Sequence, residues 1–190
     1  MIRVELVAAR PAPEPVALDG EHLGLADLVR VAREAAPVVL TEAAAAAVAA
    51  GASRLDHVAQ HGPRLYGLHP GVGALEREGD RRVASGSAAG GRQESLLRSH
   101  AAGVGAPMRD DQVRAMMAAR ASQLAAGKSG IAPATLGALI DLLNRGVIPV
   151  VPEAGSVGAS DLAPLAHAAL VLVGEGSART GGGAAPSGRA

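Results

Sequence analysis

Residues Gly155–Gly176 read GSVGASDLAPLAHAALVLVGEG. The first part is a run of small residues, 156 to 160, broken only by Val157, and the second part is apolar. Asp161 is the natural N-cap between them. With Asp161 as cap, Pro164 falls at the third helical position, where a missing N–H is no loss. With Ser160 as cap, Pro164 would sit where a helical hydrogen bond is due. Leu162, Leu165, Ala169 and Val173 then make a buried side, with Leu170 close to it, and Gly174 closes the helix. Two readings stay open. One is a capped, buried helix after a tight turn. The other is a helix N-terminus aimed at a site, favouring negative charge there.

The segments before this stretch are also helical. "LADLVRVAREA" carries apolar residues at 25, 28, 29 and 32, a helical spacing, and Pro37 follows it. Thr41 caps an alanine-rich helix, in which Gly51 predicts an end or a weak point. "QESLLRSHAAG" predicts a helix ending at Gly103. Asp110 or Asp111 caps "QVRAMMAARASQLAAG", and Pro133 opens "ATLGALIDLLNRG". "VIPVVPEAGS" is extended, as its prolines require. Short strands are expected at 2–7 and near Val16–Leu18. "YGLHPGVGAL" and the polar glycine-rich segment after it are expected as loop. The fold expectation is therefore mainly α, with short strands, one domain over 1–176 and a flexible, disordered Gly-rich tail over 177–190.

Composition narrows the function. The chain has 190 residues, zero formal net charge and no cysteine, which removes disulfides and thiolate metal sites. No metal site is expected among its six histidines. Scattered arginines and one aromatic residue argue against nucleic-acid binding. "GAPMRDD" and the glycines before "GRQES" lack the Lys-Ser/Thr pairing of a phosphate loop. No window suggests a membrane span, and the first residues have no signal-type apolar core, so the expected compartment is the cytoplasm. The apolar fraction is 48%, but there is no Phe or Trp and only one Tyr. Leu, Val, Ile and Met must then build the core, which predicts close Ala-mediated packing or burial against another chain.

The motifs "YGLHPGVG", "SHAAGVGAP", "VRAMMAARASQLAAGKSG", "LIDLLNRGVIPVVP" and "EAGSVGAS-DLAPLAHAALVLVGEG", in that order, resemble the N-terminal portion of the histidine and aromatic amino-acid ammonia-lyase family, most of all its histidine-type members. The likeness spans roughly residues 16 to 176. It implies part of a long, mostly helical fold that forms tetramers. It also implies a methylidene-imidazolone electrophile made from an internal Ala-Ser-Gly and no external cofactor. Ala159 and Ser160 match the first two members, but Asp161 follows directly, where the family has Gly and then Asp. Either the glycine is deleted, leaving Asp161 to supply the attacking amide or no ring to form, or the letters undercount a fused residue.

Carried over residue by residue, the resemblance assigns Tyr66 as catalytic base or its close partner. A phenol with a pKa near 10 needs a stabilising environment for that work. The loop departs from the family pattern at His69, Pro70 and Val72, where Asn, Thr and Phe are usual. Ser99 and His100 match the substrate-selectivity position in its histidine-type form, which implies an imidazole side chain on the substrate. His167 is read as structural, and His22, His57 and His61 receive no role. The downstream residues that complete a family site have no counterparts here, and Arg145 and Arg179 are poor substitutes for a carboxylate clamp. The resulting expectation is elimination of ammonia from histidine or a related aromatic amino acid, by a carbon–nitrogen lyase. It would act as a homo-oligomer or with a complementary helical-bundle subunit. The alternative is a non-catalytic relative that binds a partner protein or an amino-acid-like ligand.

Overall fold

The computed structural model describes residues 13–63, 89–158, 160–180 and 183–184. The strand expected at 2–7, the Tyr66 loop and Ala159 lie outside them. Within them the chain is mainly helical: α1 (Leu25–Arg33), α2 (Glu42–His61), α3 (Ala89–His100), α4 (Asp110–Ala125), α5 (Pro133–Asn144) and α6 (Leu162–Leu172). The strands are short: β1 (Val16–Leu18), β2 (Val38–Leu40), β3 (Val104–Pro107), β4 (Val147–Pro149), β5 (Pro152–Ala154), β6 (Ala178–Thr180) and β7 (Gly183–Ala184).

Helix α4 is the central element. Its Val113, Met117, Ala118, Ala121, Leu124 and Ala125 are buried, and it packs against α1, α2 and α5. The small side chains at 118, 121 and 125 let neighbours approach closely, so a core of Leu, Val, Met and Ala closes without aromatic rings. β1 and β2 pair in parallel, Val16 opposite Val38 and Leu18 opposite Leu40, with α1 as the crossover. The Asn144 amide continues that ladder from the end of α5. Its Nδ2 donates to the Val38 carbonyl and its Oδ1 accepts from the Val38 N–H, each at 2.8 Å.

Arg114 on α4 is the buried charged residue of this core. Its Nε and Nη2 donate to the Val31 carbonyl at 2.9 and 2.8 Å, and its Nη1 to the Leu143 carbonyl at 3.0 Å. Both carbonyls belong to last turns, of α1 and α5, where helices leave acceptors unpaired. One planar guanidinium therefore ties two helix C-termini to the central helix, where the helix dipoles favour positive charge.

Several expected boundaries shift for physical reasons. Helix α2 runs unbroken through Gly51. A Cβ there would lie 2.1 Å from the Gly127 carbonyl oxygen, so this glycine serves a backbone crossing and does not end the helix. Thr41 caps α2 as expected, its Oγ1 accepting from the Ala44 N–H at 3.2 Å. Asp110 and Asp111 do not cap α4. They form its first turn, Arg109 takes the cap position, and the Gln112 side chain accepts from the Arg109 N–H at 3.0 Å. Helix α3 begins at Ala89 and stops at His100, before the expected Gly103. Residues 178–180, assigned by composition to the tail, form β6 against β4, with Ile148 opposite Arg179. The Arg179 guanidinium holds the strand there through Asp110 at 2.8 Å and the Met108 carbonyl at 2.9 Å, a tertiary anchor that composition does not reveal.

Candidate functional site

Helix α6 begins where its proline requires. Asp161 is the N-cap, its carbonyl accepting from the Leu165 N–H at 3.2 Å, and Pro164 occupies the third helical position. The Asp161 carboxylate makes no bond to the first-turn amides. It accepts a short hydrogen bond from the Ser156 hydroxyl, whose oxygen also accepts from the Gly158 N–H at 3.2 Å. Ser156 thus staples the turn, a role the sequence reading did not assign. Ser160 at φ +58° and Asp161 at φ +46° are both left-handed. That conformation costs a residue with a Cβ roughly 1–2 kcal/mol, and two in succession mark a turn held by its surroundings.

The side of α6 predicted to be buried is only partly covered. Leu162 is 47% exposed and Val173 44%, while Ala166 and Ala168 face the core. Leu162, Leu165, Ala169 and Leu172 form one wall of a cavity of about 540 Å³. Opposite them stand Leu96 and Leu97 of α3, Met116 and Met117 of α4, and Leu139 of α5. The polar groups on this apolar lining are His100, Arg120, Thr135 and Ser160. The structure therefore brings two of the sequence-identified positions, His100 and Ser160, to one cavity. Asp161 instead lines an adjoining cavity of about 360 Å³, with Ser156 and Glu153.

His100 closes α3, and its ring is oriented by its own helix. Its Nδ1 lies 2.9 Å from the Leu96 carbonyl oxygen, which can only accept, so Nδ1 carries the proton and Nε2 is the acceptor in the neutral ring. Ser99 is exposed, and its hydroxyl lies 2.8 Å from the same carbonyl and 3.1 Å from His100 Nδ1. It stands outside the cavity and buttresses the ring. Beyond His100, the Arg98 side chain donates to Glu175 at 2.9 Å from Nε and by a shorter bond from Nη2, linking α3 to the end of α6. The pair holds the Glu175 carboxyl below its ordinary range and the guanidinium above its own.

His167 of α6 accepts from the Gly103 N–H at 3.0 Å through Nε2, which locks the α3–β3 link to α6. Burial pushes its pKa below the ordinary histidine value, as fits a neutral acceptor. Arg145 caps the end of α5, away from both cavities, and Arg179 is engaged by β6 and Asp110. Among the described residues no group of three or more His, Asp or Glu could hold a metal ion, and no helix is long and apolar enough to cross a membrane.

A family model described as aromatic amino acid lyase matches residues 23–190. The chain belongs to the aromatic amino acid lyase family. A histidine ammonia-lyase from Gloeobacter violaceus is 47% identical over 170 residues, covering 89% of this chain and 32% of the relative. A tyrosine ammonia-lyase from Cupriavidus metallidurans is 41% identical over 179 residues, covering 93% and 33%. Among solved structures, histidine ammonia-lyase from Trypanosoma cruzi superposes with a TM-score of 0.75 at 31% identity, covering 89% of this chain and 32% of that one. The chain therefore corresponds to the N-terminal portion of these lyases and spans about a third of their length.

The residues at the turn do not match the electrophile that the resemblance implies. Ring closure would require the amide after Ser160 to attack the carbonyl before it, and that amide belongs to Asp161, a residue with a Cβ in a left-handed conformation.

Proposed function

We propose that this chain is the substrate-recognising portion of a histidine-type ammonia lyase. In this reading the cavity between α3, α4 and α6 receives histidine or a related aromatic amino acid, and elimination of ammonia requires a complementary helical bundle. The observation that carries the reading is the convergence of His100 and Ser160 on one largely apolar cavity of about 540 Å³, within the roughly 300–1,000 Å³ usual for small-molecule sites. His100 offers Nε2 as an acceptor for an imidazole N–H, and the leucines and methionines around it suit a flat ring. Tyr66 is assigned the proton-removing role on the motif alone.

The need for a complement rests on surface chemistry. Val104, Val157 and Leu162 are 67%, 89% and 47% exposed, around the turn and the start of α6. An apolar collar of this kind favours burial against another surface. The occupant we assign is the helical portion that the longer relatives possess, on the same chain, in a separate subunit or through self-association. A cytoplasmic location is part of the same proposal.

A second reading is favoured by one specific observation. Asp161 directly follows Ser160, and a chain that makes no electrophile would bind an amino-acid-like ligand or a partner without turning it over. Intact-mass analysis with peptide mapping across Pro152–Glu175 separates the two. Loss of two waters from the peptide holding Ala159 and Ser160, or a glycine between Ser160 and Asp161, supports the lyase. An unmodified Ser160–Asp161 peptide refutes catalysis by this chain and leaves the binding reading. Inserting one glycine after Ser160 is the companion experiment, in which dehydration of the variant alone assigns the defect to that position.

A further inference from the structure

We propose that His57 and His61, on the exposed last turns of α2, form a chelating pair for a divalent transition-metal ion of the zinc class. The pair lines neither cavity, so the inference is independent of the lyase reading.

The two residues stand four apart on α2, which places them one above the other on one face of the helix. Both are exposed. Their rings are stacked, with centroids 4.8 Å apart and planes inclined by 27°. His61 Nδ1 lies 3.2 Å from the His57 carbonyl oxygen, which can only accept. Nδ1 therefore carries the proton, and Nε2 of the neutral ring keeps its lone pair for a metal. An imidazole held through its other nitrogen by a carbonyl is the usual arrangement of a metal-ligating histidine. The His57 ring makes no hydrogen bond among the described residues. Arg54, the cation one turn earlier, is engaged by the Gly127 carbonyl at 3.4 Å.

Two nitrogens on one tetrahedral ion, each about 2.0–2.1 Å from it, stand about 3.4 Å apart. The stacked rings reach that separation by turning about Cβ–Cγ, a torsion with broad minima, and their exposure leaves both free to turn. Paired imidazoles select zinc, copper or nickel over magnesium and calcium, which prefer oxygen. Among the described residues no third His, Asp or Glu completes the set, so the other coordination positions belong to water.

The place of the pair gives the ion a structural effect. Ala44, Val48 and Gly51 are the buried residues of α2, and none follows Gly51. An ion joining His57 to His61 would add a link across the last turn, where the core supplies little and the final carbonyls lack helical donors. The sequence reading placed an end or weak point at Gly51 and gave these histidines no role, whereas the unbroken helix brings them into register.

The test titrates the untagged full chain with zinc chloride by calorimetry near neutral pH. The wild type should bind zinc, and H57Q and H61Q should each bind at least about tenfold more weakly, since loss of even a ligand's supporting partner costs that much. The double variant should bind within about twofold of either single variant, because one ring alone no longer chelates and the two losses do not add. Magnesium chloride should give no binding heat. A second readout needs no variant: in the wild type the ring-proton NMR signals of His57 and His61 should shift together at the same zinc concentration. Absence of zinc binding by the wild type, wild-type affinity in either single variant, additive losses in the double variant or ring signals that shift at different zinc concentrations each overturn the inference.

Discussion

Replacing Arg114 with methionine should destabilise the fold more than its modest loss of volume suggests. The guanidinium makes three hydrogen bonds to two main-chain carbonyls and is 8% exposed. The Leu143 carbonyl keeps a second donor, the Gly146 N–H at 3.3 Å. The Val31 carbonyl would lose both of its bonds from Arg114. A buried acceptor left unpaired costs about 1–3 kcal/mol, and the lost bonds from a charged donor are of comparable worth. Against this stands relief of a buried charge that has no carboxylate partner, since burial alone already pushes the Arg114 pKa down. The balance predicts a loss of about 2–4 kcal/mol for R114M. R114K should lose less, because an ammonium reaches one carbonyl well and cannot fork to both. Urea unfolding followed by far-UV circular dichroism at neutral pH suits this tryptophan-free chain, with the denaturant slope checked for constancy. R114M unfolding within about 0.5 kcal/mol of wild type would refute the reasoning. The guanidinium would then be a cost offset elsewhere in the core.

Three further outcomes follow from the packing. Gly51→Ala should lower the thermal midpoint, although the change favours helix by up to about 1 kcal/mol at an open site. Its Cβ would meet the Gly127 carbonyl, and overpacking of this kind costs about 1–3 kcal/mol or more. Thr41→Ala should cost about 1 kcal/mol in the same melt, because the Ala44 N–H loses its acceptor. For His167 the folded pKa lies below the ordinary value of 6.5. The unfolded chain therefore binds the extra proton, and this group's contribution is full above about pH 6.5 and is lost as pH falls through the folded value. Urea midpoints should decline from pH 7 to pH 5 in the wild type and decline less in H167Q, whose amide oxygen can still accept from Gly103. Identical slopes in the two proteins would rule out His167 as the titrating group.

Much of the helical architecture is local and was legible in the letters. Thr41, Pro133 and the Asp161–Pro164 spacing act within a turn of themselves, so caps and proline positions placed three helix starts without tertiary knowledge. The ordered motifs likewise identified the family, because each is a local run of letters, in order from Tyr66 to Gly176. Gly51 was misread because a close backbone crossing and a helix stop call for the same residue. Strand β6 was missed because three residues of polar tail carry no periodicity, and their pairing depends on Arg179 reaching Asp110.

The sequence by itself determined where three of the helices start, which residues are chemically capable, and that Asp161 follows Ser160 directly in the letters. Only the tertiary structure decided which of those residues meet. His100 and Ser160 lie sixty positions apart and converge because α3 and α6 pack against each other, with α4 lining the cavity beside them. Arg120 joins them because one flank of α4 remains uncovered. Side-chain convergence across helices depends on how the helices pack on one another, and that packing leaves no local mark on the residues it brings together.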